Sequence, residues 1–166
     1  MLIRPETPRD NVAVRHVNEC AFGRPNEAVL VDRIRRTPYA AVSLVAETEG
    51  RVVGHILFTN VTITSATGPS PAVALGPMAV LPKDQRKGVG SALVRAGLDA
   101  CRRAGYALVF VLGHPDFYPR FGFVPAPPKG LTCLWPVPEN VFMVGELTLD
   151  ALRGRHGLVR YAPAFE

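Results

Sequence analysis

The chain has 166 residues, of which 48% are hydrophobic and 20% are charged, a balance typical of a folded globular protein rather than a disordered one. Its net charge of +5 is compatible with an anionic partner, but the basic residues occur singly or in pairs, such as Arg86-Lys87. Because no long basic block is present, an anionic cofactor explains the charge better than a nucleic acid does.

The lengths of the apolar runs and the positions of the cysteines further limit the class of protein. No apolar run approaches the roughly 18 to 20 residues that a membrane-spanning helix needs, and the first residues lack the apolar core of a secretory signal. Three cysteines lie far apart, with no cysteine or histidine spacing typical of a metal site. We therefore expect one domain over residues 1–166, cytoplasmic and reduced, with no metal and with its cysteines as small core residues.

Helix signals come first in the chain. After a short strand at Leu2 to Arg4, Thr7-Pro8-Arg9-Asp10 combines a Thr-x-x-Asp capping box with a proline at the first helical position. The helix that it predicts ends at Gly23-Arg24-Pro25. Asn26 is expected to cap a second helix.

Strand patterns follow. Ser43 to Thr48 and Arg51 to Ile63, with a Glu-Gly turn between them, predict an antiparallel hairpin. Thr64 to Pro71 is polar and contains Gly and Pro, so it is predicted as a loop. Ala72 to Leu81 predicts another strand, interrupted at Gly76-Pro77 by either a bulge or an ordinary strand irregularity.

An amphipathic helix starting near Val89 is the best-defined element, and Gly105 provides its stop. The almost wholly apolar run Tyr106 to Leu112 then predicts a strand buried on both faces. Strand, helix and strand together predict a βαβ unit over residues 72–112.

The C-terminal third differs in composition. Residues 125–140 hold five prolines, which excludes a regular central element there. Val141 to Leu149 and Leu158 to Tyr161 are predicted as closing strands.

Gln85-Arg86-Lys87-Gly88-Val89-Gly90-Ser91 connects the strand to the amphipathic helix. A glycine-rich turn at a helix N-terminus beside two cations is a site for phosphates, because backbone N–H groups and the helix dipole attract anions. The dinucleotide fingerprint requires a third glycine where Leu93 stands, and the P-loop requires Gly-Lys-Ser/Thr, whereas Lys87 precedes its glycine. The turn therefore matches neither the dinucleotide-binding fingerprint nor the P-loop.

Gln85-Arg86-Lys87-Gly88-Val89-Gly90 resembles the coenzyme A (CoA) pyrophosphate loop of the GNAT N-acetyltransferase superfamily, Gln/Arg-x-x-Gly-x-Gly/Ala. Val80-Leu81-Pro82 occupies the place of the family's Val-x-Pro strand end. Further along, Phe117-Tyr118-Pro119-Arg120-Phe121-Gly122-Phe123 matches the family's Phe-Tyr-x-x-x-Gly-Phe motif at every fixed position. Leu75-Gly76-Pro77 and the end of the chain, Val159 to Phe165, look most like the YhbS-type subgroup.

The resemblance implies the GNAT fold: an α/β (α+β) architecture with a mixed central sheet of about six to seven strands, helices on both faces and a splayed parallel strand pair. It also implies acetyl-CoA as co-substrate, with the pyrophosphate on the loop and the pantetheine arm paired to the strand before it. The cofactor-binding residues implied are Met78, Ala79, Val80, Gln85, Arg86, Lys87, Gly88, Val89, Gly90 and Ser91. For the Arg86 and Lys87 side chains, a solvated surface role is the alternative.

For catalysis, the resemblance implies that Tyr118 is the general acid that protonates the departing CoA thiolate, since a phenol of pKa about 10 is a reasonable donor to a thiolate. The alternative is a core tyrosine in an aromatic cluster with Phe117, Phe121 and Phe123.

The general base is open. Many GNAT enzymes have a glutamate on the strand before the loop, but Leu75 to Leu81 contains no ionisable residue. Glu47 is the first candidate, acting through water, and His55, His114 and Asp116 are further candidates for such a relay. For each of the four, a solvated or structural role is the alternative. For Asp116, capping of the following short helix is the alternative.

The sequence thus predicts an N-acetyltransferase in which a primary amine, small or on a peptide, attacks acetyl-CoA directly in a ternary complex, with no metal and no covalent enzyme intermediate. Cys101 lies on the apolar face of a helix, a poor place for a nucleophile. Expected partners exclude nucleic acid and membrane and include a possible homodimer. The alternatives are a CoA-binding sensor or interaction module with little turnover, and a basic nucleic-acid-binding domain. The segment Pro125 to Pro138, with Trp135, is expected to line the acceptor side together with the first two helices.

Overall fold

One mixed sheet organises the computed structural model, which describes residues 1–166. In chain order the elements are β1 Leu2–Pro5, α1 Asn11–Phe22, α2 Asn26–Arg35, β2 Ala40–Thr48, β3 Arg51–Ser65, β4 Gly68–Val80, α3 Val89–Arg103, β5 Leu108–Leu112, β6 Val124–Pro125, β7 Leu131–Thr132, β8 Phe142–Glu146 and β9 Gly157–Arg160. The strands follow the order β1-β2-β3-β4-β5-β8-β6 in the sheet, while β9 pairs with β3 and with β7. Seven strands have four or more residues, and the two others have two residues each.

Of the predictions for the two N-terminal helices, the capping box and the end of α1 are confirmed and the cap of α2 is wrong. Thr7 and Asp10 form the predicted capping box, although its first turn is a 3-10 turn that precedes α1. Gly23 ends α1 in the left-handed conformation, with φ 69°. The prediction that Asn26 caps α2 is wrong, because Asn26 is already helical and the preceding Pro25 makes no side-chain capping bond.

The predicted antiparallel hairpin of β2 and β3 is confirmed, and β3 and β4 form a second, long hairpin that was not predicted. The predicted loop at Thr64 to Pro71 is wrong, because the ladder continues to the pair Ser65↔Gly68. β5 begins to pair with β4 only at Val73, so the first part of β4 is an edge. Pro69 and Pro71 are tolerated in this first part of β4 because an edge position leaves one side of the strand without ladder hydrogen bonds.

Side chains alternate along β3 and separate two core layers. Ile56 and Phe58 pack in the cluster that contains Leu93 of α3. Leu57 points the other way and packs with Val14 of α1 and with α2. The helices therefore lie on both faces of the sheet, as predicted.

The rest of the face opposite α3 is covered by C-terminal segments. The ring of Trp135 lies edge-on to that of Tyr161, with the centroids 5.0 Å apart, and Tyr161 lies edge-on to Phe165 at 5.2 Å. These aromatic residues pack over the Phe110 and Phe142 side of the sheet. The proline-rich segment thus contributes Trp135 to this layer.

The parallel pair of β4 and β5 splays, as the resemblance implied. The two strands are in register at only three positions, the last being Leu75↔Val111. β4 then bulges, because Gly76 and Pro77 both lie opposite Leu57, and the peptide bond between them is cis. From Met78 to Val80, β4 pairs with β3 alone, so a gap opens between β4 and β5.

The cysteines occupy three different environments. Cys101 is fully buried in α3, as predicted, and Cys133 is half-buried. Cys20 is exposed on α1, so the prediction that it is a core residue is wrong. Among the helices, none has the length and apolar character needed to cross a membrane.

Candidate active site

The turn before α3 presents a run of free backbone donors. The six N–H groups from Arg86 to Ser91 donate to no backbone acceptor, and the first bond of the α3 ladder joins Ala92 N to Gly88 O at 3.0 Å. Gly88 has φ 86° and Arg86 has φ 62°, both left-handed. Left-handed residues within such a turn direct successive N–H groups into one concavity, which is a site for an anion.

Gln85 connects this turn to the strand before it. Its side-chain Nε2 donates to Val80 O at 3.0 Å, and its backbone N–H donates to Pro82 O at 3.3 Å. The side chain therefore holds the loop against the last residue of β4. This contact gives Gln85 a positioning role beside the predicted cofactor-binding one.

The open edge of β4 begins next to that contact. Leu81 N donates to Val53 O on β3 at 2.9 Å. Because backbone groups alternate in direction along a strand, Ala79 also directs its N–H toward β3, whereas Met78 and Val80 direct theirs away from it. Two backbone donors thus face the gap between β4 and β5.

Tyr118 follows β5 along the chain and begins a 3-10 turn that spans Tyr118–Phe121. Its ring is buried between Phe117 and Phe123, with centroid distances of 5.1 and 5.6 Å and edge-on geometry. The hydroxyl makes no hydrogen bond and is not among the buried polar atoms that lack a partner, so it remains accessible. Burial of the ring raises the pKa of Tyr118 to about 12, which keeps the phenol protonated at neutral pH.

The aromatic turn also contacts the loop and the strand. A Cβ atom placed on Gly90 would lie 3.9 Å from Phe117 Cζ and 3.6 Å from Met78 Cε. The fold therefore brings the loop, the open edge of β4 and the turn that carries Tyr118 into one neighbourhood.

The candidate bases lie in different surroundings. Glu47, on β2, accepts a hydrogen bond from Arg4 Nη2 at 3.4 Å. His55 is fully buried; Asn18 Nδ2 lies 3.3 Å from its Nδ1, and Ser43 Oγ lies 2.9 Å from its Nε2. Both candidates are thus already engaged by other side chains.

His114 and Asp116 are exposed near the start of the Tyr118 turn. The His114 carbonyl accepts the N–H groups of Phe117 and Tyr118 at 3.1 and 3.4 Å. The alternative reading of Asp116 as a helix cap is wrong, because the capping position is Phe117 and no side chain bonds to the turn there.

A buried polar network surrounds Glu6 and has no signal in the sequence. Ser43 donates to Glu6, which is also ion-paired with Arg35, and Ser43 in turn contacts His55. Burial alone would raise the pKa of Glu6, but His55, whose Nε2 lies 3.6 Å from Glu6 Oε2, the hydrogen bond from Ser43 and the ion pair with Arg35 lower it to about 2. Neither motif nor spacing indicates this network, because its members come from the residue after β1 and from α2, β2 and β3.

Comparisons with known proteins agree with these features. Residues 3–126 match the family model for the acetyltransferase (GNAT) domain. The chain is 38% identical to the uncharacterized N-acetyltransferase YhbS of Escherichia coli strain K12 over 166 residues, which covers 99% of this chain and 98% of that protein. Over 130 residues it is 43% identical to the uncharacterized N-acetyltransferase YjhQ of the same strain, covering 76% of this chain and 72% of the relative.

Two solved structures are similar over almost the whole chain. The crystal structure of the GNAT family N-acetyltransferase YhbS from Escherichia coli in complex with CoA matches with a TM-score of 0.93 and 37% identity, covering 99% of this chain and 91% of that one. A GNAT family acetyltransferase from Brucella melitensis, in complex with acetyl-CoA, matches with a TM-score of 0.82 and 34% identity, covering 99% and 97%. The predicted likeness to the YhbS-type subgroup is confirmed, and the chain belongs to the GNAT family of acetyltransferases.

Proposed function

We propose that the protein transfers the acetyl group of acetyl-CoA to a primary amine, on a small molecule or a peptide, by direct attack in a ternary complex. The observation that carries the proposal is the row of six free N–H groups from Arg86 to Ser91, next to the open edge of β4. Relatives from Escherichia coli and Brucella melitensis have been crystallised with CoA and acetyl-CoA, which supports the same donor here.

The loop residues hold the pyrophosphate. Backbone N–H groups of Arg86, Lys87, Gly88, Val89, Gly90 and Ser91 donate to its oxygens, and the N-terminal dipole of α3 adds attraction. The Arg86 and Lys87 side chains are exposed, so water and salt screen their contribution. Along β4, the amides of the pantetheine arm pair with the backbone of Met78 and Val80. Ala79, between them, pairs with His55 of β3 and so holds this part of β4 in the sheet.

The chemistry takes place in the gap between β4 and β5. A neutral amine attacks the thioester carbonyl carbon, the carbon–sulfur bond breaks, and the sulfur takes the proton of the Tyr118 hydroxyl. A backbone N–H on the open edge of β4 polarises the carbonyl oxygen during the attack. Burial keeps Tyr118 protonated, and the accessible hydroxyl is able to donate to the departing thiolate.

Glu47 is the proposed base, and it takes the proton of the amine through water. Because Glu47 is ion-paired with Arg4, a Glu47→Gln substitution tests the role only when stability is measured as well. A large loss of kcat in Glu47→Gln, with little change in Tm, supports this role. An unchanged kcat contradicts it.

The decisive assay measures free thiol released from acetyl-CoA in the presence of a panel of amines. Tyr118→Phe is expected to lower kcat by about 10- to 100-fold while changing the affinity for acetyl-CoA little, since it removes a proton donor and leaves the ring. Gly90→Trp is expected to abolish cofactor binding, because its side chain occupies the space beside Met78 and Phe117. If Tyr118→Phe is as active as the wild type, the role of Tyr118 is structural. If Gly90→Trp binds acetyl-CoA as tightly as the wild type, the loop does not bind the pyrophosphate.

A second candidate is a CoA-binding sensor with little turnover. It is favoured by one observation, the lack of an ionisable residue from Leu75 to Leu81. A rise in Tm with acetyl-CoA, but no amine-dependent thiol release from any amine, selects this candidate.

A further inference from the structure

Two arginine–phenylalanine pairs lie beside the phosphate-binding loop. The Arg95 guanidinium carbon is 5.1 Å from the centroid of the Phe121 ring, and that of Arg120 is 4.8 Å from the centroid of Phe117. The two rings contact each other edge-on, with their centroids 5.1 Å apart. Aromatic faces hold guanidinium groups in place, so both cations are positioned before any ligand binds.

These pairs adjoin the loop on two sides. Phe117 Cζ lies 3.9 Å from where a Cβ on Gly90 would stand. Arg95 is four residues after Ser91, the last residue of the free N–H row, which is about 6 Å along α3 at the usual helical rise. Phe117, which carries Arg120 on its ring, therefore lies against the loop, and Arg95 lies about one helical turn beyond it on α3.

Arg95 has no acidic partner, although one is available on its own helix. Asp99, one turn further on, pairs instead with Arg102 at 3.7 Å and Arg103 at 3.2 Å. The cationic head of Arg95 keeps its donors free for a ligand.

Arg120 is oriented by backbone carbonyls rather than by a carboxylate. Its Nε donates to Phe117 O at 3.0 Å and its Nη2 donates to Asp116 O at 3.3 Å. Neither contact neutralises its charge, and three of the five N–H donors of the guanidinium remain available.

The ligand chemistry follows from the proposed function, on which this inference rests. CoA carries a phosphate monoester on its ribose in addition to the pyrophosphate, and such a monoester is largely dianionic near neutral pH. With the loop N–H groups taken by the pyrophosphate, this second phosphate needs its own donors. We propose that Arg95 and Arg120 bind the ribose 3′-phosphate of CoA, so that the protein selects CoA over 3′-dephospho-CoA.

The test compares the binding of two ligands by calorimetry. The wild-type protein is expected to bind CoA about tenfold or more tightly than 3′-dephospho-CoA, the scale of charge-assisted hydrogen bonds. Arg95→Gln and Arg120→Gln are each expected to weaken CoA binding by about 5- to 10-fold while leaving 3′-dephospho-CoA within about twofold. Arg103→Gln, the same charge change at the far end of α3, is the matched control and should alter neither affinity.

The outcomes separate this subsite from the proposed function. Equal wild-type affinity for the two ligands overturns the subsite but leaves cofactor binding intact. Equal weakening of both ligands by Arg95→Gln and Arg120→Gln, with an unchanged Tm of the free protein, also overturns it, because the arginines would then act on a part common to both. Failure of the wild-type protein to bind either ligand contradicts the proposed function itself.

Discussion

The ring of Tyr118 lies so close to the backbone of Gly113 that a Cβ atom on residue 113 would stand 2.4 Å from Tyr118 Cε2. Gly113 follows the last residue of β5 and does not have a positive φ, so its backbone would accept alanine. Glycine is needed here for the close approach alone. The end of β5 therefore sets the position of the phenol that we propose as the general acid.

Gly113→Ala is expected to displace the Tyr118 ring and to lower kcat by about tenfold or more, because small misplacements of a catalytic group are costly. The KM for acetyl-CoA should change much less. Steady-state kinetics of Gly113→Ala, Tyr118→Phe and the double variant provide the check. If Gly113 acts through the hydroxyl, the double variant is no slower than Tyr118→Phe, whereas multiplied losses would show that it acts elsewhere.

The raised pKa of Tyr118 predicts how the rate depends on pH on the alkaline side of the profile. A general acid loses activity as pH rises through its pKa, and burial raises the pKa of Tyr118 to about 12. With an acceptor amine of low basicity, kcat should therefore stay level from about pH 8 to 10, below that pKa. An alkaline limb near pH 10 in the wild-type protein that disappears in Tyr118→Phe would identify Tyr118 as the titrating acid but contradict its raised pKa, whereas a limb that remains in Tyr118→Phe would belong to another group.

Gly97 predicts a stability effect. A Cβ on Gly97 would lie 2.3 Å from Phe58 Cε2, so α3 packs on the sheet through this glycine. Gly97→Ala is expected to destabilise the fold by about 1–3 kcal/mol, the usual cost of overpacking, and to lower Tm by several degrees. Gly90→Ala, in the same helix but with its nearest neighbour at 3.6 Å, is the control and should leave the Tm of the free protein unchanged or higher. Equal Tm values for the two variants would contradict the packing argument.

Glu6 predicts a pH dependence of stability. Its pKa is about 2 in the folded protein and near 4.5 in an unstructured chain. A carboxyl group with a lowered folded pKa contributes stability above the unfolded value, and here the contribution is lost as pH falls from about 4.5 toward 2. Glu6→Gln should therefore be less stable than the wild type by roughly 1–3 kcal/mol at neutral pH, with a difference that shrinks below pH 4.5.

Denaturant unfolding from pH 7 down to pH 3 measures this difference. Glu139→Gln, at an exposed carboxylate, should show almost no difference at any of these pH values. A Glu6→Gln difference that is constant with pH would contradict the network's role.

The cysteines predict thiol reactivity. Burial raises the pKa of Cys101 to about 12, so its thiolate is scarce at pH 8. Ellman's reagent should therefore modify exposed Cys20 rapidly and leave Cys101 unmodified in the native protein. Because the proposed transfer uses no thiol of the protein, Cys101→Ser should keep the wild-type kcat, and a large loss of kcat at unchanged Tm would contradict direct transfer.

The sequence by itself determined the local features of this protein. Glycine spacing between Gly88 and Gly90, the apolar run before Leu112 and the motif around Tyr118 act over a few residues, so they predicted the βαβ unit, the loop and the aromatic turn. The GNAT family followed from these short-range signals. Errors arose where a partner strand decides the conformation, as at Thr64 to Pro71, which β3 draws into the hairpin despite its turn-like composition.

Only the tertiary structure decided how these pieces meet. The register shift opposite Leu57 opens the gap between β4 and β5, and the contact of Gly113 with Tyr118 sets the phenol beside it. The pairing of Glu47 with Arg4 likewise joins residues that are distant in sequence. Close packing and hydrogen bonding between separate elements select these arrangements, and no local pattern of residues records which distant groups will become neighbours.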